Sequence, residues 1–196
     1  MIDVTEGAFQ RFVEALERAG VPYMLTGSHA GGYYGPGRAT QDIDFVIMPS
    51  REQLQLLVDQ LTYPEFYVDG RVALEALREH GQFNAIDRAS ALKADFIIRK
   101  SRPFSEEEFR RRTPAIVADV PVMIATAEDI IISKLEWSKL GGSARQIEDV
   151  STILGSRLDR LDRSYIEHWV HQLGLEQQWI AALRAVGADA EERGTT

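Results

Sequence analysis

An α/β domain built on a small mixed sheet flanked by helices, followed by a helical region, is the fold class that this sequence predicts. Three observations predict it. Up to Ala125, short apolar runs of strand length alternate with stretches of helical periodicity. Two of those runs, Asp42–Ile47 and Lys93–Arg99, are rich in Phe and Ile yet carry acids, Asp42 and Asp44 in the first and Asp95 in the second, as strands with two unlike faces do. From Thr126 onward every periodic stretch is helical. Residues 1–125 are therefore expected to form the α/β domain, and residues 126–196 a helical region packed on it.

The elements follow in order. Phe9, Phe12, Val13 and Leu16 recur at helical spacing over 5–19, and Gly20-Val21-Pro22 ends that helix. Residues 22–26 read as a short strand, and Ser28 as the cap of a short segment over 29–35. Ser50 and Gln53 form a capping box before Leu54, Leu57, Val58 and Leu61. Phe66–Val68 reads as a strand, 71–79 as a helix stopped by Gly81, and 83–87 as an edge strand. Ser105 and Glu108 read as a second capping box, opening a charged helix. Short strands over 115–118 and 120–125 precede helices over 127–140, 144–155, 164–173 and 175–186, with a fraying tail from Gly187.

Composition narrows the function classes. An apolar content of 44% and a charged content of 27% belong to a soluble globular chain. The absence of cysteine excludes disulfides and thiolate zinc sites. No signal-peptide pattern and no membrane-length apolar run is visible, so cytoplasmic residence without membrane contact is the expectation. A formal net charge of −8 makes a general nucleic-acid binder a poor reading. Arg99, Lys100, Arg102 and Arg110–Arg112 form a local basic cluster, read first as a solvated face balanced by Glu106–Glu108 and second as a phosphate or RNA track. No Gly-x-x-x-x-Gly-Lys-Ser/Thr run exists, and Gly31–Gly37 does not follow Gly-x-Gly-x-x-Gly.

The chemistry concentrates between Gly27 and Ile47. On a strand, residues i and i+2 share a face, so Asp42 and Asp44 project together while Ile43, Phe45 and Ile47 pack on the other side. Two adjacent like charges repel, and a divalent cation with a preference for hard oxygen ligands, such as magnesium, relieves this. Just upstream, Gly27 allows close backbone approach, and Ser28 opens a segment whose N-terminus favours anions. The alternative is a plain strand–turn–strand with two solvated aspartates. Arg38 and Thr40 precede the pair, either orienting the loop or, for Arg38, contacting a phosphate. Lys134 shares the inward side of its helix with Ile130 and Ile131, so it either snorkels outward or meets an anion. His29 lies in the turn. His168 and His171 are three apart on a helix with no third ligand near in sequence. Trp137, Trp169 and Trp179 read as core.

The pattern Gly27-Ser28, thirteen intervening residues, then Asp42-Ile-Asp44 resembles the nucleotidyltransferase superfamily. With Arg38-Ala-Thr40 ahead of the acids it looks most like the minimal bacterial nucleotidyltransferases around the AbiEii toxin family. The resemblance implies that family's fold, with a third carboxylate on a neighbouring strand, for which Asp95 is the candidate. It implies a magnesium- or manganese-dependent transfer of a nucleoside monophosphate from an NTP to a hydroxyl, with release of pyrophosphate. Asp42, Asp44 and Asp95 would hold the metals. Gly27 and Ser28, with Arg38 and Thr40, would hold the nucleotide. The family's helical lysine and its accompanying aspartate match Lys134 and Asp149; for Asp149 the plain alternative is a surface pair with Arg145. The acceptor stays open between tRNA or other RNA, a protein and a small molecule, and a toxin with a cognate antitoxin is within the family's range. The competing class is a catalytically silent protein of the same fold that binds a partner or serves as an antitoxin.

Overall fold

The structure is a computed structural model that describes residues 4–36, 40, 42–62 and 64–194, with side chains between Gly7 and Gly187. In chain order the elements are α1 (Val4–Arg18), β1 (Tyr23–Thr26), α2 (Gly27–Tyr34), β2 (Asp42–Ile47), α3 (Arg51–Gln60), β3 (Phe66–Val68), α4 (Gly70–Glu79), β4 (Gln82–Asp87) and β5 (Lys93–Ile98). They continue with α5 (Pro103–Arg111), β6 (Thr113–Val117), β7 (Val120–Ile124), α6 (Ala127–Gly141), α7 (Ala144–Arg157), a 3-10 turn (Leu158–Arg160), α8 (Arg163–Leu173) and α9 (Glu176–Gly194). The chain divides into two compact units. Met1–His29 with Ala39–Ala125 form the sheet unit, and Ala30–Arg38 with Thr126–Thr196 form the helical unit.

In the sheet unit the described strands make one mixed seven-stranded sheet in the order β3-β4-β5-β2-β1-β7-β6. The central β2 runs antiparallel to β1 and parallel to β5. Alternation then decides what each face carries. Ile43, Phe45 and Ile47 of β2 and Ala94, Phe96 and Ile98 of β5 are buried on one face. From α1, Phe9 stacks on Phe45 at 6.4 Å between ring centroids, and Phe12 meets Phe96 edge-on at 6.3 Å. Each fully buried side chain of this size is worth about 2 kcal/mol. A one-residue slip of β2 would turn the acids inward and the aromatics outward, so this core pins the register.

The box at the start of α3 is present in both directions: Gln53 N–H donates to Ser50 Oγ at 3.2 Å, and Ser50 N–H donates to Gln53 Oε1 at 2.8 Å. The turn of the β6–β7 hairpin, Ala118-Asp119, has φ of 47° and 60°, the backbone that a two-residue hairpin loop requires. Three local expectations are corrected. β4 is interior, because β3 pairs along its outer side. The Ser105–Glu108 box does not form; Pro103, preset for a first helical turn, starts α5 earlier, and Ser105 instead accepts from Arg102 Nε at 2.9 Å. Helix α2 begins at Gly27, one residue ahead of Ser28.

The helical unit is organised at the start of α6. Asp129 N–H donates to the Thr126 hydroxyl oxygen at 3.3 Å, the Thr126 hydroxyl donates to Asp129 Oδ2 at 2.6 Å, and the Tyr165 hydroxyl of α8 donates to Asp129 Oδ1 at 2.6 Å. Asp129 is thus buried with its charge bonded. Ile130, Ile131 and Leu135 of α6, Val150, Ile153 and Leu154 of α7, and Trp179 and Ala182 of α9 form the core. Trp137, expected inside, is 56% exposed. Helix α9 continues to Gly194, past the expected fraying point, through a run rich in Ala and Glu. Among the described residues no helix is long and apolar enough to cross a membrane.

Candidate active site

The face of the sheet opposite the aromatic core carries the acids. In the parallel β2–β5 pair, Asp42 stands beside Lys93 and Asp44 beside Asp95. Paired residues of a pleated sheet point to the same side, so Asp42, Asp44 and Asp95 share one face. The row through Asp44 extends to Thr26 on β1 and Asn84 on β4, giving Thr26, Asp44, Asp95 and Asn84 across four strands. Asp42, at the strand end, is 54% exposed at its side chain, and Asp95 is 16% exposed.

Lys93 is the cation of this face. Its Nζ lies 3.0 Å from Asp95 Oδ2 and 3.4 Å from Asp42 Oδ1. The hydrogen bond to Asp95 holds the Lys93 ammonium above its usual pKa range against a smaller opposing effect of burial. Lys93 thus ties Asp42 and Asp95 together, with Asp44 beside Asp95 on the same face. Among the described residues, no three His, Asp or Glu side chains are gathered around one cation position; here an ammonium lies between two of the three acids. The hard oxygen donors of the Asp42–Asp44 pair suit magnesium or manganese, and that pair opens toward solvent.

The turn before α2 meets the acids directly. Gly27 has φ +66°, and a Cβ there would fall 2.0 Å from Asp44 Oδ2. Only glycine tolerates both the backbone and the contact. The positive end of the α2 dipole therefore begins against Asp44. His29, one residue past Ser28, donates from Nδ1 to the Asp42 carbonyl oxygen at 3.0 Å, and its ring stacks on Phe9 at 6.3 Å. Burial pushes the His29 imidazole below its ordinary pKa, with the Asp42 contacts opposing. Thr40 Oγ1 accepts from Asp42 N–H at 3.3 Å, which is the loop-orienting role weighed for it. Arg38 lies outside the described residues.

Lys134 and Asp149 come together within the helical unit. Lys134 Nζ donates to Asp149 Oδ2 at 2.6 Å and to Gln146 Oε1 at 3.3 Å. The lysine is 6% and the aspartate 16% exposed. Asp149 thus has a buried partner on another helix, beyond the surface pairing with Arg145. The lysine stem runs beside α2, where a Cβ on Gly31 would sit 3.5 Å from Lys134 Cε. The two histidines of α8 are apart from this chemistry; His171 pairs with Glu176 at 3.3 Å. In the basic cluster, Arg110 pairs with Glu107 and Arg99 with Glu106, as the solvated-face alternative anticipates.

The sequence reading places His29 in the turn but does not single out Lys93 or Asn84 on this face. For Lys93 a signal existed, since it stands two positions before Asp95 and so shares its face.

No family model matches the sequence, and no curated protein matches it. Solved structures do. The antibiotic-resistance factor ANT(2″)-Ia in complex with adenylyl-2″-tobramycin is 15% identical, with 89% of this chain and 99% of that one covered at a TM-score of 0.60. An antigenic nucleotidyltransferase-like protein from Paracoccidioides brasiliensis is 16% identical, with 92% of each chain covered and a TM-score of 0.59. The lincosamide antibiotic adenylyltransferase LnuA, lincomycin-bound, is 11% identical over 78% of this chain and 96% of that one, at 0.52. The chain therefore has the nucleotidyltransferase fold that these structures share.

Proposed function

We propose that this chain is a nucleotidyltransferase that moves a nucleoside monophosphate from an NTP to an acceptor hydroxyl. The observation that carries the proposal is the set of carboxylates Asp42, Asp44 and Asp95 on one face of adjacent strands, with Gly27 packed against Asp44. A divalent cation, magnesium or manganese, bound by this set supplies neutralisation of triphosphate charge and activation of the acceptor oxygen. Gly27 and Ser28 bring the N-terminus of α2 to the β- and γ-phosphates. Thr40 fixes the loop leading into Asp42. Asp95, held by Lys93, takes the proton of the attacking hydroxyl. The motif resemblance assigns Lys134 to phosphate charge and Asp149 to orienting it, with residues 1–125 as the catalytic domain and 126–196 as its helical complement.

The acceptor we favour is a small hydroxylated cation. A chain of net charge −8 attracts cations and repels RNA, and two structural neighbours are described with antibiotic ligands. The AbiEii-like toxin reading, with RNA or protein as acceptor and a cognate antitoxin as partner, rests on the motif alone. The neutralising position of Lys93 favours a second reading, a silent binding protein of the same fold.

Calorimetry with each NTP separates the two. The enzyme binds NTP only when magnesium or manganese is present, and Gly27→Ala weakens that binding at least about tenfold by forcing Asp44 aside. Equal binding without metal, unaffected by Gly27→Ala, contradicts the proposal.

A further inference from the structure

Strand β2 loses its neighbour on one side just where its first acid stands. Met48 N–H donates to the Pro22 carbonyl at 2.9 Å, and the β1–β2 register runs on to Thr26 opposite Asp44. In an antiparallel ladder the bonded pairs fall at every second position. Met24 with Val46 and Thr26 with Asp44 are therefore bonded pairs, and the next would set Asp42 opposite position 28. But β1 ends at Thr26, and at the positive-φ Gly27 the chain turns into α2. On the other side, Arg99 N–H donates to the Ile47 carbonyl at 2.9 Å, so the odd-numbered residues of β2 bond toward β5. The Asp42 carbonyl is thus turned to the side that β1 has left.

His29 stands in that place. Its Nδ1 lies 3.0 Å from the Asp42 carbonyl oxygen; a carbonyl only accepts, so Nδ1 carries the hydrogen. The Thr40 hydroxyl reaches the same oxygen at a longer 3.4 Å. The imidazole is itself held, lying parallel to the Phe9 ring with 9° between the planes. Phe9 continues the stack to Phe45 at 6.4 Å, and Phe45 to Phe96 at 5.8 Å. The first residue of β2 is tied through one ring to the aromatic core, at a strand end of the kind that otherwise frays. The bond lies in exposed surroundings, where water can replace it, so its loss costs little stability and acts on position instead.

We infer that His29 is a positioning residue: its imidazole replaces the missing strand partner of Asp42 and sets where the Asp42 carboxylate stands beside Asp44. The inference rests on the nucleotidyltransferase reading, in which Asp42 helps to hold the metal-bound NTP.

Calorimetry with each NTP and magnesium tests it on the full chain, for the parent, His29→Phe and His29→Asn, alongside melting temperature in chelator. Phenylalanine keeps a ring against Phe9 and removes the donor. Asparagine removes the ring and keeps an N–H at the position of Nδ1. Both variants are expected to melt within about 3 °C of the parent. His29→Phe weakens NTP binding at least about fivefold, and His29→Asn stays within about twofold of the parent. Parent-like affinity in a folded His29→Phe overturns the inference while leaving the nucleotidyltransferase reading intact. Equal weakening in both folded variants does the same, since it assigns the effect to the ring rather than the bond. If His29→Phe does not fold, His29→Asn decides alone: parent-like affinity bears the inference out, and weakened affinity overturns it. Unfolding of both variants also overturns it, because His29 is then a structural requirement. A parent that binds no NTP with magnesium overturns both the inference and the reading on which it rests.

Discussion

Two groups of charges in this chain use the same residue types to different ends. In the helical unit, the buried Lys134 donates to Asp149 on the next helix and to Gln146. In the sheet unit, Lys93 meets Asp42 and Asp95 while Asp44 adds a further charge on the same face, partly open to solvent. The first arrangement is balanced and resembles a brace between α6 and α7. The second sets one ammonium among several carboxylates through the register of β2 and β5. Two carboxylates about 5 Å apart repel by roughly 3 kcal/mol at an effective dielectric constant of about 20. Under the proposed function, that cost, kept beside a glycine whose Cβ would strike Asp44, is offset when a cation or substrate binds the face.

The comparison breaks first at Lys134. Lys134→Met leaves Asp149 inside without its ammonium and is expected to cost about 3 kcal/mol, read as a drop in the denaturation midpoint. Adding Asp149→Leu should restore most of that loss, as a balanced pair requires. A single variant as stable as the parent would show that Asp149 finds other partners and that the pair is no brace.

A smaller effect is expected at the Arg11–Asp87 pair of the sheet unit. Asp87 is almost fully buried and bonds Arg11, the backbone N–H groups of Ala89 and Ser90, and the Ser90 hydroxyl. Burial pushes its carboxyl up, but the bonds from Arg11 and Ser90 outweigh burial and hold it below the usual carboxylate range. The sign follows: a depressed folded pKa gives stability that is complete above the unfolded value of about 3.9 and is lost as pH falls through the folded value. Asp87→Asn should cost about 2 kcal/mol near neutrality and flatten the acid limb of a stability–pH curve below about pH 4. An acid limb of unchanged steepness would show that other carboxylates dominate it. Smallest of all, Glu107→Gln on the exposed face of α5, where Glu107 pairs with Arg110 at 2.6 Å, should change stability by no more than about 0.5 kcal/mol.

What the sequence reveals follows from the range of the forces involved. Period-two alternation is local, so the common face of Asp42 and Asp44, and the core face of Ile43, Phe45 and Ile47, are legible from the chain alone. The capping box at Ser50 and the helix start at Thr126 are equally local. Cross-strand register is not. It puts Lys93 beside Asp42 and makes β4 interior, and both depend on which strands pair across tens of residues. Competition between local signals explains the Ser105 box, which lost to Pro103. Trp137 follows helical spacing with its apolar neighbours, yet the helical unit leaves that side of α6 uncovered in its own core.

Under the proposed function, Asp44 serves chemistry rather than stability. Asp44→Asn keeps the side chain's shape and an accepting oxygen against Gly27 while removing one negative charge from the crowded face. The measurement pairs two readouts on the parent and the variant: transfer of label from each NTP to acceptors in a cell extract with magnesium, and melting temperature in chelator. The account predicts that label transfer falls by about a thousandfold or more, as loss of metal-borne charge stabilisation requires, while the metal-free melting temperature holds or rises. Label transfer that survives, together with a metal-free melting temperature that drops, would contradict it and leave Asp44 as a structural charge.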